Sequence, residues 1–208
     1  MNMIIKKHLS TNNKSPGRNT CEYIIAHHTA TGEGSIDGVL KTLTVSKSPH
    51  AVSCHYVIDT TGTLYKIWED TDILWHAWES SWMGRNGMNQ FSIGIEVIWP
   101  LKNGGFTDRQ RSVFKELVIE LSALHNIDGD RLLRHKDVSP WRKIDIMDTF
   151  WNWQFATWQE YKSNLYNMEP QMPLSDLEAI WKTKKTRKFK DYSLDTRIKM
   201  LIDLGYGK

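Results

Sequence analysis

A chain of 208 residues, 40% of them hydrophobic, is long enough for one medium domain with a real core and a short appendage. Its net charge of +3 is too small to argue by itself for a nucleic-acid binder. No run approaches the ~20 apolar residues of a membrane span, and the apolar part of the N-terminus is too short for a signal peptide. Synthesis in the cytoplasm without Sec export is therefore expected. Cys21 and Cys54 make no metal or disulfide spacing pattern and read as reduced thiols. Ten tryptophans are many for this length; most should be core, and the surplus suits stacking on sugar rings.

In chain order, residues 6–20 are polar and contain Asn12-Asn13-Lys14-Ser15-Pro16-Gly17, which predicts a loop or N-terminal arm, here bounded as residues 1–20. Strands are predicted over residues 23–26, 53–59, 64–68 and 92–99. Thr60-Thr61-Gly62-Thr63 joins the second and third as a hairpin. Ile36, Val39, Leu40 and Leu43 follow a helical period, which predicts a helix over 35–45. The clearest helix is 108–125. Thr107 is its N-cap, Gln110 completes a capping box, and Val113, Phe114, Leu117, Val118, Leu121 and Leu124 mark one buried stripe. An aromatic-rich helix is predicted over 150–165. Strands followed by helices predict an α/β domain over 21–166, with a central mixed sheet flanked by helices. The character then changes. Residues 167–173 carry two prolines and read as a linker, and 174–182 and 194–204 read as short helices. Residues 167–208 thus form a small, partly helical C-terminal extension. Within it, residues 182–190 hold six basic side chains and no acidic one.

Two separated segments carry the chemistry. Ile24-Ile25-Ala26-His27-His28-Thr29 is an apolar strand ending in two histidines, and side chains alternate along a strand, so only one imidazole can face a given site. His135-Lys136-Asp137-Val138-Ser139-Pro140-Trp141-Arg142-Lys143-Ile144-Asp145 adds a further imidazole, a carboxylate and a lysine. Pro140 argues against a helix between His135 and Asp145, and a loop could fold both onto one metal ion. Two His and one carboxylate, with a fourth position open to water, is a recurrent ligand set of zinc hydrolases.

Four blocks in order then resemble the type 2 N-acetylmuramoyl-L-alanine amidases, a family of zinc amidases that includes phage lysozyme-like amidases, muropeptide-recycling amidases and peptidoglycan recognition proteins. They are Ile24–Ala30; Val52–Asp59 with Gly62-Thr63-Leu64-Tyr65; Trp75-His76-Ala77 with Asn89-Gln90-Phe91-Ser92-Ile93-Gly94-Ile95-Glu96; and His135–Asp145. The resemblance spans roughly residues 21–165. It implies Zn²⁺ on His27, His135 and Asp145, with His28 a neighbour of the ligands. It implies catalytic roles for Glu96, as proton acceptor, and for Lys143. It also implies a substrate groove that includes His76 and Asn89. The chain departs from the family pattern at Cys54, where many relatives carry a tyrosine lining the site; Cys54 and His28 are grouped with the substrate-binding residues on that basis. Trp141 stands where a small residue is common.

The implied activity is hydrolysis of the amide between N-acetylmuramic acid and L-alanine in peptidoglycan, by a monomer. An unexported amidase with a basic tail resembles a phage endolysin, which acts on the cell wall. The alternatives are a cytoplasmic recycling amidase acting on soluble anhydro-muropeptides and a non-catalytic peptidoglycan-binding protein. The basic tail, flanked by Trp181 and containing Phe189, suits an anionic wall polymer or membrane, with no specific nucleic-acid partner expected.

Overall fold

A computed structural model describes residues 5–8, 11–29, 35–45, 51–99, 105–151 and 154–166. Ten strands are described. They are β1 (Ile5–His8), β2 (Lys14–Ser15), β3 (Tyr23–His28), β4 (Tyr56–Ile58), β5 (Leu64–Lys66), β6 (Ile73–Leu74), β7 (Ser81–Trp82), β8 (Arg85–Asn86), β9 (Ser92–Val97) and β10 (Leu132–Arg134). The helices are α1 (Ile36–Thr44), α2 (Asp108–His125), the single turn α3 (His135–Val138) and α4 (Trp158–Tyr166). The main sheet has the order β1-β5-β4-β9-β3-β10. Every neighbouring pair is parallel except β4 with β5, so the sheet is mixed, as expected.

The central strands are buried along their whole length. All six residues of β3 are buried, which is why the segment reads as a continuous apolar run. Its pleat divides the residues between two layers. Ile24 and Ala26, with Ile93, Ile95 and Val97 of β9, join the core under α2 and α4. Tyr23 and Ile25 point the other way, into a core with Ala77, Met88, Leu133 and Val138. A third cluster, Val39 and Leu43 of α1 with Cys54, Val57, Tyr65, Ile67 and Ile98, covers a further part of the molecule beneath α1.

Helix α2 has the predicted bounds because its start is chemically specified. Thr107 accepts from Gln110 N, and Gln110 accepts from Thr107 N, the reciprocal bonds of a capping box. Its C-terminus is closed by Asn126 in the left-handed region. The hairpin of β4 and β5 also forms where expected, with Asp59 Oδ1 accepting from Thr61 N and Thr63 N to shape the turn.

Three expectations are corrected. The stretch 6–20 is not simply a loop: β1 extends the sheet beside β5, and β2 pairs with β6. Buried Asn13 and Asn19 donate to the Val52 and Ser92 carbonyls, so polar side chains rather than an apolar pattern hold this segment. The helix expected over 150–165 is shorter. A 3₁₀ turn at Asp148–Phe150 ends in a break, and α4 starts afresh where Glu160 Oε2 accepts from Ala156 N and Thr157 N while Thr157 Oγ1 accepts from Glu160 N. A helical turn, α3, does follow His135; it fits because it ends before Pro140. The linker at 167–173, the helices at 174–182 and 194–204 and the basic run at 182–190 lie outside the described residues.

Candidate metal centre

Three neighbouring parallel strands, β9, β3 and β10, deliver one candidate site side chain each at or just beyond their carboxyl ends. His27 pairs in register with Glu96, which places the two side by side on one face of the sheet. Arg134 pairs with Ala26, so His135, one residue further on, emerges level with His27. A crevice beyond the carboxyl ends of parallel strands is the usual ligand site of open α/β sheets. Asp145 comes from the returning loop. Lys136 N donates to the Asp145 carbonyl at 2.7 Å, folding residues 139–145 back onto α3.

The three candidate ligands converge. His27 Nδ1 lies 2.9 Å from His135 Nδ1 and 3.3 Å from Asp145 Oδ2, and His135 Nδ1 lies 2.9 Å from the same oxygen. Tetrahedral ligands held ~2.1 Å from zinc stand about 3.4 Å apart, so a small outward relaxation accommodates the ion. Two ring nitrogens facing each other at 2.9 Å need a proton or a cation between them. Burial, followed by the neighbouring charge of His135, pushes His27 down to about 4, which leaves a neutral imidazole, the form that binds metals. Burial alone would raise the Asp145 carboxyl. Hydrogen bonds from His135 and His27 outweigh it and keep the group well below the usual carboxylate range. Two imidazoles and one carboxylate, all buried, fit a zinc ion with an open fourth position.

Glu96 is partly accessible at the floor of the site. Burial, reinforced by the nearby Asp145 charge and opposed by Lys143, lifts its carboxyl to about 8. A dication beside Asp145 would offset that repulsion. Lys143 is half-buried in the returning loop and close enough to act electrostatically on Glu96 and His27.

Not every expected site residue joins this cluster. His28 falls on the opposite face of β3, its ring against Trp99 and Phe106 at centroid distances of 5.3 and 6.1 Å, as strand alternation requires. Cys54 is buried under α1 and donates to the Tyr56 carbonyl; burial, then the Glu96 charge, holds the thiol far above its ordinary value. It is a neutral core residue and no part of the ligand cluster. His76 is buried against His27, with its Nδ1 3.1 Å from His27 Nε2. Asn89 does line a cleft, and its Oδ1 accepts from the backbone N–H groups of His76 and Ala77.

That cleft has a volume of about 790 Å³ and is walled by Trp75, Trp78, Ser80, Asn86, Asn89 and Trp141. Trp78 and Trp141 are each more than half exposed, large aromatic faces left open to water. Ser139 Oγ and Arg142 both donate to the Glu79 carbonyl, which ties the returning loop to this wall. Sequence reasoning missed His55 and Gly94, which pack beside His76. The one available signal was a glycine in the interior of a strand, which often marks a close approach.

The description N-acetylmuramoyl-L-alanine amidase belongs to the family model that matches residues 17–146, more than half of the chain. The chain belongs to this family. It is 34% identical over 115 residues to the 1,6-anhydro-N-acetylmuramyl-L-alanine amidase AmpD of Haemophilus influenzae, covering 55% of this chain and 59% of that protein. With the N-acetylmuramoyl-L-alanine amidase AmiD of Escherichia coli it shares 29% identity over 137 residues, 59% of this chain and 47% of that one. The chain thus spans about half the length of these curated relatives. Among solved structures, a mutant endolysin from Bacillus subtilis superposes with a TM-score of 0.55 at 27% identity, over 72% of this chain and 97% of that one. A selenomethionine derivative of AmpD superposes with the same TM-score at 22% identity, a likeness of fold. The family match and this fold agree with the α/β expectation.

Proposed function

We propose that this family member is a zinc-dependent amidase cutting the bond between N-acetylmuramic acid and L-alanine in peptidoglycan. The observation that carries the reading is the convergence of His27, His135 and Asp145, with Glu96 beside His27 on the neighbouring strand and Lys143 near enough to act on Glu96 electrostatically. Zinc held there supplies a Lewis acid for the scissile carbonyl and acidifies a bound water. Glu96 is the proton carrier. Its carboxylate takes a proton from the attacking water and, as the acid, returns it to the departing L-alanine nitrogen, which leaves only when protonated. A carboxyl tuned toward neutrality suits both directions of transfer. The Lys143 ammonium offsets the negative charge that develops on the carbonyl oxygen. The exposed faces of Trp78 and Trp141 suit sugar rings of the substrate along the open cleft.

The polymeric wall is the preferred substrate in this reading, as for an endolysin; the open cleft and the 27% identity to the B. subtilis endolysin support it. The 34% identity to the H. influenzae protein favours a second reading, hydrolysis of soluble anhydro-muropeptides. Purified zinc-loaded protein should release L-alanine amino groups faster from intact sacculi than from soluble anhydro-muropeptides. The reverse ranking selects the recycling reading. An Asp145→Ala variant with undiminished hydrolysis of both would remove the zinc mechanism altogether.

A further inference from the structure

His76 is buried on the side of His27 away from the other two candidate ligands. Its Nε2 lies 3.2 Å from the Ser92 carbonyl and 3.4 Å from Ser92 Oγ. The carbonyl can only accept. The Ser92 hydroxyl already donates to the Met88 carbonyl at 2.6 Å, so toward His76 it too can only accept. His76 therefore carries its proton on Nε2, and its Nδ1 is a lone pair. That lone pair faces His27 Nε2 at 3.1 Å.

The consequence concerns the opposite nitrogen of His27. A neutral imidazole that binds a metal through Nδ1 keeps a hydrogen on Nε2, and a buried N–H needs an acceptor. Metal-binding histidines usually donate that hydrogen to a carboxylate, a carbonyl or water. We propose that His76 is a positioning residue whose Nδ1 accepts from His27 Nε2–H, fixing the tautomer and ring orientation that turn His27 Nδ1 toward the metal. The inference rests on the zinc reading given above and adds to it a relay running Ser92 carbonyl, His76, His27, metal.

The surroundings are shaped to hold this imidazole in place. Asn89 Oδ1 accepts from His76 N and Ala77 N, which pins the backbone that carries the ring. Gly94 lies directly under it: a Cβ there would stand 2.5 Å from His76 Cγ and 2.7 Å from Nδ1, closer than side chains pack. Gly94 N in turn donates to His55 Nδ1, and the His55 ring packs edge-on against His76 at 5.5 Å. His135 has no equivalent support, since its Nε2 is buried without a partner among the described residues. The support of the site is therefore asymmetric, with His27 as the anchored ligand.

Zinc affinity, measured by competition with a chromogenic chelator, tests the relay independently of turnover. His76→Leu removes the acceptor and is expected to weaken zinc binding about 10- to 100-fold. His76→Asn restores a carbonyl oxygen close to the place of Nδ1 and is expected to recover most of that loss. Thermal unfolding of the metal-free variants reports whether each is folded. Unchanged affinity in folded His76→Leu overturns the relay, as does an equal loss in both variants, which would mean packing alone. Wild-type protein that takes up no stoichiometric zinc overturns the zinc reading itself. ¹⁵N spectra of histidine-labelled, zinc-loaded wild type need no variant: they should show Nε2–H tautomers at both His27 and His76. An Nδ1–H tautomer at His76 overturns the proposal.

Discussion

At the scale of single residues, Glu96 and Lys143 differ from the ligands in what their loss should do. Neither belongs to the converging His27, His135 and Asp145 donor set. Glu96→Gln should lower kcat about 10²- to 10⁴-fold and Lys143→Ala about 10²- to 10³-fold, with zinc content unchanged in both. Metal analysis beside steady-state rates checks this, and lost zinc in either variant would place that residue among the ligands. His55 sets a pH dependence of stability. It is fully buried, and burial pushes it down to about 4, with Nδ1 accepting from Gly94 N and Nε2 facing the Asp72 carbonyl. The unfolded chain takes up its proton near pH 6.5 and the folded one only near 4. The stabilisation is therefore complete above pH 6.5 and is lost as pH falls toward 4. Denaturant titrations of metal-free protein should show that decline. His55→Asn should be less stable at pH 7 and show a shallower slope between those limits.

At the scale of elements, local chemistry decides where helices begin and strand order decides what they carry. The Thr107–Gln110 box starts α2, and the Thr157–Glu160 bonds start α4. Thr107→Ala should cost about 1 kcal/mol in unfolding free energy, measured by denaturant titration, while zinc affinity stays at the wild-type value because α2 packs on the face away from the ligands. The strands act differently. β9, β3 and β10 are parallel neighbours, so residues at their carboxyl ends, Glu96, His27 and His135, meet although the chain between them is long. Register gives this precision, since a slip of one residue in β3 would turn His27 into the α2 core and bring His28 to the metal side.

At the scale of the molecule, the metal would join the sheet to the returning loop, because His27 belongs to β3 and Asp145 to the segment after α3. A ligand that binds only the folded state stabilises it by about 4 kcal/mol at a thousand times its Kd. For a chain of this size that is roughly a 10 °C rise in Tm. Thermal scans with excess zinc and with chelator should differ by that amount, and coincident scans would argue against the site. The same loop carries Trp141 and, through Ser139 and Arg142, braces the wall that carries Trp78. The returning loop thus links the cleft wall to the segment that carries the candidate ligand Asp145. No described helix is long and apolar enough to cross a membrane.

What the sequence by itself determined was whatever local chemistry encodes. The cap at Thr107, the apolar run of β3 and the Thr-Gly turn before β5 specify their elements through nearest neighbours, and each forms where expected. The His135–Asp145 segment was legible as a source of candidate ligands because residue types and a resemblance both marked it. Direction and depth were not legible. His28 and His27 are adjacent and chemically identical, and only the pleat separates them into core and site. His76 reads in the sequence like any groove residue. Its place behind His27 depends on the missing Cβ at Gly94 and on Ser92, which belong to a strand that pairs with β3 only in the folded sheet. Cys54 likewise became a core thiol because α1 closes over it. The candidate metal centre is a property of register between distant strands, and register is decided by which faces can be buried together.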